Sequence, residues 1–185
     1  MRIRASNVGR LAVAIGVVFV GSANAMAQET VGASMDASFA MIERSFVGLA
    51  EAMPAEGYAF RPTGGAVAGV RTFGEQVKHV ACANVAFFNQ IEGKTPPDGC
   101  ETGGPSPART KSELVTYLKE SFAYARTVLA TVTSANALDP SGGPYGGPRS
   151  KLGVATLAVW HASDHYGQLV VYARLNGVVP PASAR

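Results

Sequence analysis

Three histidines are the side chains in this 185-residue sequence whose spacing best suits chemistry. His161 and His165 are four residues apart, so on a helix their imidazoles project from the same face. His79 belongs to a different segment with helical spacing. Two imidazoles from one helix and a third from another would supply three ligands to a divalent metal and leave positions open for water or substrate. The same spacing also fits three hydrogen-bonded core histidines, so both interpretations stay open at this point.

Two other side chains beside the histidines are candidates for chemistry. Asp164 precedes His165 and is the candidate catalytic residue, either as a general base or as an acceptor that orients a ligand imidazole. A solvated carboxylate is the alternative for Asp164. Gln168 lies one turn beyond His165 and suits a hydrogen bond to water or substrate. Ala162 stands where a zinc protease of the H-E-x-x-H type carries its glutamate, which excludes that class of enzyme.

The two cysteines, Cys82 and Cys100, predict a disulfide. An exported protein with one cysteine on a helix and one in the following loop pairs them readily in an oxidising compartment. Cys82 follows His79 by three residues, so a fourth metal ligand or a nucleophile is the alternative role for a free Cys82 thiol.

The N-terminal segment predicts export. Arg2, Arg4 and Arg10 precede the apolar run LAVAIGVVFVG, and small residues follow, as in a signal peptide over residues 1–27 that is cleaved after Ala27. The apolar run is too short to span a bilayer, which needs about 20 residues. We therefore expect a mature protein that begins with the next residue, is periplasmic or secreted, and is not held in a membrane.

The charge balance argues against a nucleic-acid partner. The chain has 16 basic and 13 acidic residues, and three of the arginines belong to the predicted signal peptide. The remaining 13 basic residues match the 13 acidic ones and form no cluster of Lys or Arg. Proteins that bind a phosphate backbone concentrate positive charge on one surface, and this sequence offers no such concentration.

Four segments with apolar residues at helical spacing must position the histidines. They cover residues 31–53, 72–93, 110–132 and 150–176. The second and third begin with capping boxes, Thr72 with Glu75 and Thr110 with Glu113. Connectors rich in Gly and Pro separate the segments, and none of the segments alternates with the period of a strand. The pattern predicts an all-α fold, an antiparallel four-helix bundle formed by a single domain over residues 28–185.

Helical spacing also predicts which faces of the helices are buried. The expected core includes Phe46, Leu118 and Leu157. The buried stripe expected on the last helix consists of Val154, Leu157, His161, His165, Gln168, Tyr172 and Leu175. Burial of three polar rings costs several kcal/mol unless each nitrogen finds a partner, and a shared divalent metal would provide one.

Three stretches of the chain resemble the DinB-like superfamily of small helical bundles. They are YAFRP at 58–62, RTFGEQVKHVACA at 71–83 and HASDHYGQLVVYARLNGVVPP at 161–181. The resemblance implies a divalent metal site formed by His79, His161 and His165. It also implies that zinc or nickel is the ion, with manganese and iron as alternatives.

The resemblance is less specific for activity, because the superfamily includes thiol-dependent transferases, isomerases and proposed hydrolases. We expect an exported DinB-like metalloprotein that acts as a hydrolase or transferase on an unidentified small molecule. The alternative is a non-catalytic bundle that binds a metal or a small ligand. Besides that small molecule, a second copy of the chain in a homodimer is a candidate partner.

Overall fold

The computed structural model describes residues 29–143 and 149–184, and four long helices form most of this part of the chain. They are α1 Val31–Ala52, α2 Phe73–Glu92, α3 Lys111–Leu129 and α4 Lys151–Leu175. Short 3₁₀ turns cover Ala55–Ala59, Cys100–Thr102 and Pro181–Ser183. A two-residue antiparallel ladder pairs Pro140–Ser141 with Arg149–Ser150. The all-α four-helix bundle is confirmed, with this ladder as a short addition.

Local sequence signals begin and end the helices close to the predicted positions. The Thr72 hydroxyl accepts a hydrogen bond from the Glu75 amide at 3.2 Å, and the Glu75 carboxylate accepts one from the Thr72 amide at 2.6 Å. Thr110 and Glu113 form the second predicted capping box at the start of α3. Gly93 ends α2 in the left-handed conformation with a φ of 74°, which glycine adopts without strain.

Antiparallel packing joins α2 to α4 and places the histidines together. Gln76 near the start of α2 contacts Gln168, whereas His79, farther along α2, contacts His161, which is earlier in α4. Residue numbers therefore rise along one helix as they fall along the other. The helices α1 and α3 are also antiparallel, because the start of α1 is hydrogen-bonded to the chain just after the end of α3.

The helices α2 and α3 instead run in the same direction. Asn84 donates to Ser121 at 3.2 Å, and Asn89, farther along α2, accepts a hydrogen bond from Tyr124, farther along α3, at 2.7 Å. The starts of the two helices therefore lie side by side. Since α1 is antiparallel to α3 and α4 is antiparallel to α2, the neighbours α1 and α4 are also parallel. The expected antiparallel packing holds for two of the four neighbouring helix pairs, and the other two are parallel.

Parallel packing of α2 and α3 requires the chain to cross back along α2, and residues 93–110 form this crossover connector. Cys100 of the connector is joined by a disulfide to Cys82 in the middle of α2. The carbonyl oxygen of Glu101 accepts a hydrogen bond at 2.8 Å from the guanidinium of Arg71, which lies just before α2. The connector is thus held against the side of α2 that carries His79.

The core predicted for the first three helices is confirmed. Phe46 and Leu118 are fully buried, and so are Phe39, Leu49 and Phe122 on the same two helices. At the centre, the Phe39 ring centroid lies 5.3 Å from that of Phe88 and 4.9 Å from that of Phe122. This aromatic contact joins α1, α2 and α3 around a common core.

The stripe predicted on α4 is wrong at three positions. Leu157 is half-buried, and Gln168 and Leu175 are exposed. Small side chains dominate the buried face around the histidines, which consists of Val154, Ala155, Ala158, His161, Ala162, His165, Leu169, Tyr172 and Ala173. Large apolar side chains such as Trp160 and Val171 face solvent instead. Because α4 is apolar on both faces, the positions of its large residues do not reveal its orientation.

The predicted signal peptide over residues 1–27 lies outside the described residues. Its cleavage after Ala27 therefore stays a prediction. Among the residues that the structure describes, no helix combines the length and the apolar character required to cross a membrane. The Gly- and Pro-rich connector between α3 and α4 is described up to residue 143 and again from residue 149, and Pro140–Ser141 pairs there with Arg149–Ser150.

Leu118→Ala should lower the free energy of unfolding by roughly 2–5 kcal/mol, because it leaves a cavity at a fully buried position. Leu175→Ala is the matched control. This side chain is 62% exposed, so its truncation should change stability by less than about 0.5 kcal/mol. Urea denaturation followed by circular dichroism measures both variants, and equal losses would contradict the core described above.

Candidate metal centre

The structure brings His79, His161 and His165 together between α2 and α4. Their exposed fractions are only 5%, 5% and 8%. The Nε2 atoms of His79 and His161 are 3.1 Å apart, and the three side chains offer nitrogen atoms that all lie within 4.8 Å of one another. The ring centroid of His165 lies 4.8 Å from that of His79 and 4.6 Å from that of His161. The predicted cluster of three histidines is thus present and buried.

The crossover connector orients His79. Its Nδ1 lies 2.7 Å from the carbonyl oxygen of Cys100. A carbonyl only accepts hydrogen bonds, so Nδ1 carries the proton and Nε2 keeps its lone pair. The predicted disulfide between Cys82 and Cys100 is confirmed, and it fixes this carbonyl beside α2. Both sulfurs are used in the bond, which removes Cys82 from the candidate ligands and nucleophiles.

A side-chain amide orients His165. Its Nδ1 lies 2.6 Å from Oε1 of Gln76, which is buried on α2. The Nε2 of Gln76 donates to Oε1 of Gln168 at 3.1 Å, and the Nε2 of Gln168 donates to Asp164 at 2.8 Å. Sequence reasoning missed Gln76. The available signal was a polar amide on the buried face of α2, one turn before His79.

His161 differs from the other two histidines. Its Nε2 faces the Nε2 of His79, which has a lone pair, so in the absence of a metal His161 carries its proton on Nε2. Its Nδ1 is buried and has no hydrogen-bond partner among the described residues. The Phe87 ring packs edge-on against this imidazole, with 5.2 Å between centroids. His161 is therefore held by packing and by its partner histidine.

Asp164 lies on the exposed side of α4 rather than inside the cluster. Its carboxylate accepts a hydrogen bond from Gln168, one turn along the helix, and the contact to His165 runs through two amides. The predicted orienting role for Asp164 is thus possible only through Gln168 and Gln76. Its role as a general base stays a prediction.

Burial keeps the histidines neutral. Desolvation is the main cause that lowers the pKa of His161 to about 3, and the neighbouring His165 and His79 add to it. Desolvation also lowers the pKa of His165 to about 4 and lowers the pKa of His79. The nearby positive charge of Arg71 depresses all three pKa values further. At neutral pH the three rings are therefore in the form that a metal ion requires.

A sequence model of the DinB superfamily matches residues 39–169 of this chain, a span that includes all three histidines. The chain belongs to the DinB superfamily. None of the curated proteins matches it. The resemblance found in the sequence is confirmed, and so is the bundle that it implied.

Two crystal structures of DinB-like proteins share this fold. One, from Bacillus subtilis, has 21% sequence identity and a TM-score of 0.62, over 82% of this chain and 99% of the other. The second, from Bacillus cereus, has 15% identity and a TM-score of 0.68, over 83% of this chain and 97% of the other. At these identities the similarity establishes the DinB-like fold alone.

The geometry of the cluster can hold one divalent metal ion. Two Nε2 atoms 3.1 Å apart are at the separation of neighbouring ligands on a single ion with bonds of about 2.0–2.1 Å. Imidazole is a good ligand for zinc, nickel, copper and iron, so the donor set does not select one metal. Nδ1 of His79 is bonded to the carbonyl of Cys100, and Nδ1 of His165 to the amide oxygen of Gln76. Such acceptors behind the ligand nitrogens orient histidines in known metal sites.

The metal-free protein should lose stability as the pH falls from 7 to 5. Unfolded histidines gain protons near pH 6.5, whereas those in the native cluster have lowered pKa values. The unfolded state therefore binds more protons in this window, and the free energy of unfolding should fall by roughly 1–2 kcal/mol for each of His161 and His165, with a further loss in the same direction from His79. Urea titrations with chelator present measure the loss.

His161→Phe is the control for this pH dependence. It removes one of the titrating rings and keeps an aromatic side chain at the buried position. The change in unfolding free energy between pH 7 and pH 5 should shrink by about one histidine's share, roughly 1–2 kcal/mol. An unchanged slope in this variant would contradict the lowered pKa assigned to His161.

Proposed function

We propose that this DinB superfamily protein binds one divalent metal ion through Nε2 of His79, His161 and His165. The observation that carries the proposal is the convergence of three neutral, buried imidazoles, with 3.1 Å between the Nε2 atoms of the first two. Zinc and nickel are the leading ions, and manganese and iron are alternatives. Ligation through Nε2 requires His161 to move its proton to Nδ1, and the other two histidines already have Nδ1 protonated.

We further propose that the metal site serves hydrolysis or group transfer on a small molecule. A bound divalent ion supplies Lewis acidity, which polarises a carbonyl group or makes water more acidic. Asp164 is the proposed general base, because it lies on the ligand-bearing helix and its exposed carboxylate is accessible to a substrate. Its carboxylate accepts a hydrogen bond from Gln168, and Gln168 is connected through Gln76 to His165.

A non-catalytic metal-binding role is the second candidate. It is favoured by the burial of the histidines, since exposed fractions of 8% or less leave little ligand surface open to a substrate. The cobalt-substituted protein separates the two roles. In an enzyme with open coordination positions, azide should change the visible absorption spectrum of cobalt. An unchanged spectrum would favour the non-catalytic role.

Each of the variants His79→Ala, His161→Ala and His165→Ala should abolish stoichiometric metal binding. The wild type should contain one metal per chain, and at a metal concentration 100-fold above Kd its melting temperature should rise by roughly 5–10 °C. Any stabilisation by residual weak metal binding should be smallest in His79→Ala, because His79 is the ligand that joins α2 to α4. Elemental analysis and thermal denaturation with and without chelator provide the measurements.

Asp164→Ala is the control for metal content at saturating metal. A base or an orienting residue is not a ligand, so this variant should still carry close to one metal per chain even where its affinity is lower. The protein should be purified without a nickel column. If the wild type takes up no zinc, nickel or manganese and chelator does not change its melting temperature, the histidines are core residues and the proposal is wrong.

We also propose that the protein is exported to the periplasm or secreted. Three arginines before an apolar run, and small residues after it, support a cleavable signal peptide. The disulfide between Cys82 and Cys100 supports the same location, because such bonds persist in oxidising compartments and are rare in the cytosol.

The exported protein should begin at Gln28 and contain no free thiol. Signal peptidase removes residues 1–27, and alkylation without reductant should leave the intact mass unchanged. After reduction, Cys82 and Cys100 should each take up one alkyl group. A mass that includes Met1 would contradict cleavage, and two alkylated thiols without reductant would contradict the disulfide.

A further inference from the structure

A chain of three hydrogen bonds leads from the surface of α4 to a histidine of the cluster. Asp164 accepts from Nε2 of Gln168 at 2.8 Å, Oε1 of Gln168 accepts from Nε2 of Gln76 at 3.1 Å, and Oε1 of Gln76 accepts from Nδ1 of His165 at 2.6 Å. Gln76 is only 2% exposed. Its amide uses both of its ends, the oxygen towards His165 and the nitrogen towards Gln168, and both partners lie on α4.

The direction of this chain follows from the chemistry of its outer end. An amide has a donor end and an acceptor end of nearly the same shape, so a glutamine that is turned around fits the same space. A carboxylate only accepts hydrogen bonds. With Asp164 at the outer end, each glutamine must point its NH₂ group towards Asp164 and its carbonyl oxygen towards His165. The inner end of the chain is then an acceptor.

We propose that Asp164, Gln168 and Gln76 are positioning residues that hold His165 as the Nδ1–H tautomer. In that tautomer the lone pair is on Nε2, the nitrogen left for the cluster. The Cys100 carbonyl does the same for His79 through a single contact. The consequence for metal affinity rests on the proposed metal site, whereas the tautomer of His165 does not depend on it.

Through this series of hydrogen bonds, the carboxylate of Asp164 at the surface determines which nitrogen of the buried His165 ring carries the proton. Without a fixed acceptor, a neutral imidazole can place its proton on either nitrogen, and a proton on Nε2 of His165 would block ligation. Second contacts of this kind change metal affinity by about 10–100-fold in known metal sites. Asp164 would thus act on the metal site without touching it, in addition to any role towards a substrate.

Nitrogen-15 NMR of the metal-free protein at neutral pH tests the proposal directly, because long-range couplings identify the protonated nitrogen of each histidine. His79 and His165 should be Nδ1–H tautomers and His161 the Nε2–H tautomer. Gln76→Met removes the acceptor and should move the His165 proton wholly or partly to Nε2. Asp164→Asn and Gln168→Met should give a mixture of tautomers, since Gln76 is then free to turn around.

Two controls distinguish the effect of these hydrogen bonds from the effect of a lost surface charge and from a failure to fold. Glu101→Gln removes a carboxylate whose charge also acts on His165 but which is outside the chain, so it should leave the tautomer unchanged. Asp164 and Gln168 are exposed, so their variants keep the test available if Gln76→Met does not fold. Zinc affinity, measured against a competing chelator, should fall by about 10–100-fold in Gln76→Met and stay near wild type in Glu101→Gln.

Two results would overturn the proposal: a wild-type His165 with its proton on Nε2, or a His165 tautomer that Asp164→Asn does not change. The proposed function fails separately. If the tautomers are as expected and no metal binds, the proposed positioning role of the three residues is correct and the proposed metal site is wrong. If metal binds and the His165 tautomer does not respond to the variants, the proposed metal site is correct and the proposed positioning role is wrong.

Discussion

The arrangement of the whole centre depends on one constraint: a neutral imidazole has one donor and one acceptor, and both must be placed when the ring is buried. Three rings that meet at one point can direct their lone pairs inwards only if acceptors outside the cluster take their N–H groups. For His79 that acceptor is a backbone carbonyl, and for His165 it is a buried amide. For His161 no such acceptor lies among the described residues, and its proton instead joins it to His79.

Local signals explain why much of this molecule is predictable from its sequence. Capping boxes at Thr72 and Thr110 begin two helices where they were expected, because the contacts involved span only three residues. The spacing of His161 and His165 places both rings on one face for the same reason. Features that depend on distant partners were not predictable: the parallel direction of α2 and α3 leaves no local trace, and the alanine-rich buried face of α4 lacks the large side chains on which a stripe is recognised.

In the candidate site, too, local features were predictable and features that depend on distant partners were not. The three histidines were recognisable from residue type, spacing and family resemblance, whereas the groups that orient them were not. The carbonyl of Cys100 has no side-chain signature, and Gln76 is one of several polar residues on α2 until its partner on α4 is known. The position of Asp164 next to His165 and one turn after His161 predicts a role at the site, and the structure connects it to His165 through two intervening amides.

The disulfide also bears on how the chain reaches this topology. Two helices that are consecutive and parallel need a long connection, and closing a long flexible loop costs conformational entropy that grows with its length. The bond between Cys82 and Cys100, which are 18 residues apart, gives the chain a covalent short cut from the middle of α2 into the connector. Oxidation therefore shortens the path that α3 must search before it docks. In a reducing environment the same fold would have to form α2–α3 packing across the full length of the connector, and it should assemble more slowly.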